Sequence, residues 1–250
     1  MAEVASLPTS EDAFLGGRLT LRQPLEGFRA AIDPLFLAAA VPAEEGESVL
    51  DLGCGIGTAA LAILTRVPSV RATGLDIDGS LVALAKENAA ANGMATQFEA
   101  LRGDVSDTRQ VLGERLFDHV CCNPPHVEAG GGTRSQEAAR DRAKQEGAVA
   151  LDDWIEAALR HLRPKGSFTL VHRADRLEAL LAGLSGRAGD IAVFPLWPGA
   201  GRPAKRVVLR ARKGLRSPTR MLPGLVLHRP EGGYSTEADA VLRDTAALSL

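Results

Sequence analysis

Seven apolar runs of strand length alternate with amphipathic helical stretches along this chain, and no other feature restricts the fold as much. "SVLDLGCGIG" passes through a glycine turn into the helical pattern "TAALAILTRV". "VRATGLDID" is followed by "GSLVALAKENAAANG", which ends at Gly93. "TQFEALRGDV" and "RLFDHVCCNPP" come next. "LDDWIEAALRHLRPKG" then leads into "SFTLVHR", "DRLEALLAGLSG" into "IAVFPLW", and "RPAKRVVLRAR" closes the series. Runs that are apolar throughout, rather than alternating, are strands covered on both faces, and helices between them are the crossovers that parallel pairing needs. The expected fold is α/β, doubly wound, with a mainly parallel seven-stranded sheet and helices on both faces. Ahead of the first run, "DPLFLAAAV" reads as a short helix with Asp33 as its N-cap and Pro34 in its first turn.

At 250 residues, 45% apolar and 24% charged, the chain has the content of an ordinary globular protein with room for one large core. Residues 18–250 are expected to form a single domain, behind a flexible, weakly patterned lead-in at 1–17. The first residues lack a basic start followed by an apolar stretch, and no run approaches the length of a membrane span. A cytoplasmic setting without a membrane partner is the expectation. The cysteines are Cys54, Cys121 and Cys122; neighbours on a strand point to opposite faces, so neither a metal site nor a disulfide framework is offered.

Four features carry chemistry. Gly53, Gly55 and Gly57, following Asp51 in "DLGCGIG", let a strand turn sharply into a helix and let a ligand approach the backbone. They do not complete the dinucleotide pattern Gly-x-Gly-x-x-Gly, because Thr58 stands where its last glycine would be. Asp76 ends the second strand about 20 residues further on, where a carboxylate can accept hydrogen bonds from ribose hydroxyls. Asp78 suits the following helix as its N-cap. Asp104 ends the third strand, either as a turn aspartate or as an acceptor for an adenine amine.

The fourth feature is Asn123-Pro124-Pro125-His126 at the end of the fourth strand. Open parallel sheets bind ligands at the carboxyl ends of their strands. The prolines fix φ and offer carbonyls without a donor. An Asn oxygen beside such a carbonyl makes two acceptors, able to hold both hydrogens of an –NH2 group.

Charge is distributed unevenly behind a formal net value of −2. From Ile191 to Pro230 no Asp or Glu occurs, while Lys205, Arg206, Arg210, Arg212 and Lys213 fall inside, with Arg202, Arg216, Arg220 and Arg229 around them. Such a block is the footprint expected for phosphate contact, or a solvated basic edge that keeps strands from pairing. Gly131, Gly132 and Arg134 suggest a loop at the mouth of the same site.

"VLDLGCGIG", "GLDID", "GDV" and "NPPH" together resemble the Rossmann-like S-adenosylmethionine-dependent methyltransferases that methylate amino nitrogens. "LRQPLEGFRAAIDPLFLAAAV", the stretch from Ala139 to Leu181 and "GRPAKRVVLRARKG" are similar to the tRNA1(Val) adenine-N6-methyltransferase family, over residues 18–245. The resemblance implies that Asp51, Gly53, Gly55, Gly57, Asp76, Asp104 and Asn123 form the cofactor pocket. Asp76 would hold the ribose and Asp104 the adenine, while Asn123 and the Pro124 carbonyl would hold the target amine. Gln23, Arg29 and Asp33 would lie near a cofactor lid, or would brace the first helix. The family carries an aromatic where this chain has His126, whose imidazole is planar and can stack on a base over a smaller area. RNA, tRNA first, is the implied partner; ribosomal RNA guanine N2, a protein glutamine amide and a non-catalytic RNA-binding module are the alternatives.

Overall fold

Leucine- and valine-rich runs make the centre of one twisted sheet in the computed structural model, which describes residues 8–26, 29–125 and 150–250. Its strands are β3 (Ser48–Leu52), β4 (Arg71–Asp76), β5 (Phe98–Arg102), β6 (Phe117–Cys122), β7 (Leu162–Arg173), β8 (Ala188–Trp197) and β9 (Arg206–Lys213). They lie in the order β8-β9-β7-β6-β3-β4-β5. β9 is antiparallel to both neighbours, and the pairs among β3 to β7 are parallel. The seven expected strands are all present. Two-residue strands β10 (Arg220–Met221) and β11 (Leu225–Val226) extend the far edge by pairing with β8.

From β3 the chain winds outward through β4 and β5, then returns to lay β6 on the other side of β3. The crevice at that reversal is where an open α/β sheet receives its ligand. Helices cover both faces. On one face α1 (Asp33–Ala40), α2 (Thr58–Arg66), α3 (Gly79–Ala91) and a C-terminal helix (Thr236–Asp244) bury Phe36, Leu37, Leu61, Ile63, Ala85 and Val241. On the other, α4 (Arg109–Leu112), α5 (Leu151–His161) and α6 (Leu177–Leu184) enclose Leu112, Ile155, Leu180 and Leu184 against Leu50, Val120 and Phe168.

Local chemistry sets the helix ends. Asp78 caps α3, accepting from the Ser80 and Leu81 N–H groups, and Gly93 follows the helix at φ +72°. The expected Asp33 cap is not made: Ile32 holds the cap position, and Asp33, inside the helix, takes the Arg206 guanidinium at 2.9 Å. Both groups are partly buried, so the ion pair outcompetes a cap that water could replace. α5 stops at His161, before the expected Gly166, because Pro164 cannot continue a helical ladder and residues from Leu162 enter β7.

The N-terminus also differs from the expected lead-in. β1 (Thr9–Phe14) and β2 (Leu19–Pro24) form an antiparallel hairpin. Leu15, Leu19 and Leu21 are buried with the helices of the α1–α3 face. Among the described residues no helix is long and apolar enough to cross a membrane.

Candidate active site

The register of the central strands brings Gly53, Asp76 and Asn123 to one edge. Leu52 of β3 pairs with Cys122 of β6 and Leu75 of β4, so Gly53, Asn123 and Asp76 leave adjacent strands side by side. Strand spacing is about 4.8 Å, so these groups sit within reach of one small ligand. Asp104, two residues beyond β5, joins the same edge.

Gly53, Gly55 and Gly57 have φ of +68°, +54° and +87°, a left-handed turn that only glycine adopts without strain. The Gly53 and Cys54 N–H groups donate to Leu75 O, and Gly55 N–H donates to Asp76 Oδ2 at 2.8 Å. A Cβ on Gly53 would lie 2.6 Å from Cη2 of Trp154, whereas one on Gly55 would meet nothing within 4 Å among the described residues. Among the described residues the turn is therefore packed by the indole at Gly53 and open at Gly55.

Asp76 also accepts from Asp78 N–H at 3.0 Å. Burial pushes its carboxyl up from the ordinary value, and the Asp78 and Gly55 N–H groups act against that rise. Beside it Ile77 is left exposed, an apolar surface at the rim. Asp104 accepts from Ser106 N–H at 2.8 Å, which is the turn role considered for it, and remains partly exposed at the edge.

Asp51, two residues ahead of Gly53, lies deeper than the turn. It is 2% exposed and meets Ala60 N–H in the first turn of α2 and the Cys121 thiol. Burial, with the Asp76 charge as a smaller cause, raises its pKa to about 7. It braces the helix that opens at the glycine turn, and protein covers it on all sides.

Asn123 follows β6 directly, at the carboxyl end of the strand. Its Oδ1 is buried and has no hydrogen-bond partner among the described residues. An unpaired buried acceptor costs about 1–3 kcal/mol, a deficit that an incoming N–H donor removes. Pro124, next to it, is buried and Pro125 is exposed. His126, Gly131, Gly132 and Arg134 lie outside the described residues.

Gln23, Arg29 and Asp33 do the bracing considered for them. Gln23 Oε1 accepts from Ala30 N–H at 2.7 Å, while Gln23 Nε2 and Arg29 Nη2 both donate to Asp12 Oδ2. These bonds tie the hairpin to the segment that enters α1.

The basic block is divided by the strand that carries it. β9 is antiparallel to β7, and Arg206 stands opposite Arg173 at the edge where Asn123 lies. Lys205 precedes it, and Arg202 belongs to the turn between β8 and β9 on the same edge. Lys213 ends the strand about 23 Å away, at about 3.3 Å per residue. There Arg212 Nε donates to Lys165 O and Lys213 Nζ to Leu162 O. Arg210, lowered in pKa by burial, donates to Leu250 O. Arg210 and Arg212 line a cavity of about 450 Å³ with Arg163 and Lys165, and Glu44, Glu47, Asp118 and Asp190 stand among these four bases. Arg202 and Lys205 carry no ion pair among the described residues, and Arg206 is matched by Asp33.

Two residues at the site escaped the sequence reading: Trp154, under Gly53, and Asn88 of α3, whose Nδ2 donates to Ile56 O inside the glycine turn at 3.1 Å. Asparagine is a poor residue for a helix interior, and Asn88 and Asn92 four positions apart were the available signal.

The family described as Methyltransferase small domain matches residues 32–184. A tRNA1(Val) (adenine(37)-N6)-methyltransferase of Porphyromonas gingivalis is 29% identical over 180 residues, covering 70% of this chain and 69% of that protein. One of the same description from Dickeya chrysanthemi is 29% identical over 224 residues, covering 86% and 87%. Among solved structures, a predicted O-methyltransferase from Agrobacterium tumefaciens superposes with a TM-score of 0.72 at 21% identity, covering 87% of this chain and 98% of that one.

Proposed function

We propose that this chain, which belongs to the methyltransferase small domain family and is an S-adenosylmethionine-dependent N-methyltransferase, methylates the exocyclic amine of a base in RNA, with adenine N6 in tRNA as its target. The observation that carries the reading is the buried Oδ1 of Asn123, unpartnered among the described residues, at the carboxyl end of β6 beside the glycine turn. With the Pro124 carbonyl it would accept both hydrogens of an –NH2 group and so fix the direction of the nitrogen lone pair. The names of the relatives favour adenine N6 and tRNA.

The residues fit the cofactor. The left-handed glycine turn, open at Gly55 among the described residues, would receive its methionine portion, Asp76 its ribose hydroxyls, and Asp104 with Ile77 its adenine. When bound, S-adenosylmethionine supplies a methyl group on a positively charged sulfur, an electrophile that needs no strong base opposite it. What the protein adds is position and exclusion of water: Asn123 orients the amine, and burial of the pocket strengthens that hydrogen bond. For RNA, Arg202, Lys205 and Arg206 lie at the edge where a base extruded toward Asn123 would leave its phosphates. Arg210, midway along β9, and Arg212 and Lys213, toward its far end, are engaged by acids and carbonyls and would contribute less.

The test is methyl transfer from labelled S-adenosylmethionine to unmodified tRNA, unmodified ribosomal RNA and a release factor in parallel, followed by nucleoside mass spectrometry. N6-methyladenine in tRNA is expected. N2-methylguanine in ribosomal RNA, or label in the protein alone, would overturn the substrate while leaving the reaction class.

A further inference from the structure

We propose that Asn88 is a positioning residue that couples the N-terminal hairpin to the cofactor turn, so that docking of the hairpin and binding of S-adenosylmethionine reinforce each other. This rests on the reading of Gly53–Gly57 as the cofactor turn.

The coupling is built from two side-chain amides, Asn88 of α3 and Asn92 at its C-cap, that continue the hairpin as if they were a further strand. Asn88 Oδ1 accepts from Arg22 N–H at 2.8 Å, and its Nδ2 returns a bond to Arg22 O at 3.1 Å. Four residues on, Asn92 repeats the pattern with Thr20, at 3.0 and 2.7 Å. The periods match: four residues of helix rise about 6 Å, and two residues of strand about 6.6 Å. Amides at i and i+4 therefore meet alternate residues along the outer edge of β2, whose backbone groups would otherwise be unpaired.

The two asparagines differ in their remaining hydrogen. Asn92 spends it on Asn88 O, within its own helix. Asn88 spends it on Ile56 O, at 3.1 Å, between Gly55 and Gly57. Asn88 is wholly buried, so every one of these bonds must be kept or a buried group is orphaned. Its orientation is not ambiguous either. Turned over, the amide would set its oxygen against two carbonyls and its NH2 against an N–H.

One side chain thus holds the turn and the hairpin together, and the hairpin passes the constraint on. Gln23 follows Arg22 and grips Ala30 N–H ahead of α1, while Arg29 and Gln23 share Asp12 of β1. A ligand that fixes the turn would lower the freedom of this assembly, and coupling between two sites acts equally in both directions.

The first measurement is hydrogen exchange on the unaltered protein with and without S-adenosylhomocysteine. The Thr20 and Arg22 amides should exchange several-fold more slowly when it is bound; unchanged rates at both, with binding verified by calorimetry, would overturn the coupling. If S-adenosylhomocysteine does not bind at all, the cofactor reading fails instead. The second compares Asn88→Ala with Asn92→Ala. Asn88→Ala should weaken S-adenosylhomocysteine at least tenfold and raise the KM for S-adenosylmethionine, with kcat at saturation within about twofold. Asn92→Ala, which leaves Ile56 untouched, should stay within about twofold in both. Equal losses in the two variants would reduce Asn88 to a structural residue.

Discussion

Gly55 N–H donates to Asp76 Oδ2 at 2.8 Å, so the carboxylate at the end of β4 holds the glycine turn at the end of β3. One oxygen serves the turn and the other accepts from Asp78 N–H, ahead of α3. The residue that would bind ribose is therefore also the residue that shapes the turn above which the cofactor would lie.

Replacing Asp76 by Ala removes both bonds and the ribose acceptor together. Hydrogen bonds to a charged group contribute about 1.5–3 kcal/mol each, so S-adenosylhomocysteine affinity should fall by about tenfold to a hundredfold. Isothermal calorimetry measures this directly. Undiminished affinity would remove Asp76 from the cofactor site.

Gly53→Ala tests the cradle from beneath. The new methyl would require a non-glycine residue at φ +68° and would meet the Trp154 ring at 2.6 Å. Left-handed backbone and overpacking together should cost on the order of 2–4 kcal/mol. In a Trp154→Phe background the overpacking part should shrink while the backbone part remains. Denaturant unfolding of the four proteins completes the cycle. Additive losses would mean that the indole does not press on the turn.

The parts legible in the sequence are those where a residue type has one physical use. Glycine after a strand, Asp76 at a strand end, Asp78 before a helix and Asn-Pro-Pro at a strand end all stand where periodicity puts them. What escaped reading depends on contacts distant in sequence. "TSEDAF" shows no strand pattern, and β1 forms because β2 lies beside it and α3 supplies Asn88 and Asn92 to the far edge. Asp33 looks like a cap until Arg206, 173 positions later, takes its carboxylate. The basic block reads as one patch because a linear sequence hides that an extended strand carries its two ends to opposite edges of the sheet.

Asp51 makes stability depend on pH. Its folded pKa of about 7 lies above the unfolded value, so the folded chain holds the proton more tightly. The stabilisation is complete below about pH 4 and declines as pH rises to about 7, at about 1.4 kcal/mol per unit of difference. Asp51→Asn removes the ionisation and should level the decline. Its melting temperature relative to the unaltered protein should climb between pH 4 and 7, then stay constant. A difference independent of pH would show that Asp51 is already ionised in the fold.

The two ends of β9 predict different responses to charge reversal. Arg202→Glu with Lys205→Glu should weaken tRNA binding and flatten its dependence on salt, each lost phosphate contact lowering the log–log slope by about 0.7–0.9. Arg212→Glu with Lys213→Glu, at the opposite edge, should leave the slope nearly as it was. Filter binding across a salt series reads both. If the second pair alone flattens the slope, the RNA runs along the other edge and cannot present its base to Asn123.

Asn123 is the decisive position. Asn123→Ala removes the acceptor that the pocket leaves unpartnered, and no hydrogen bond of the described fold uses that oxygen. Stability should therefore change little, or rise slightly as an orphaned buried group disappears. Calorimetry should find S-adenosylhomocysteine affinity within a few-fold of the unaltered protein. Methyl transfer should fall by about a thousandfold or more, the scale on which loss of positioning acts. Asn123→Asp sharpens the distinction, because a carboxylate still accepts from an amine but adds a charge. It should retain residual turnover above that of Asn123→Ala, and the excess should grow with pH as the carboxyl ionises. Loss of affinity and stability together in both variants would make Asn123 a structural residue, and the amine clamp would have to lie elsewhere.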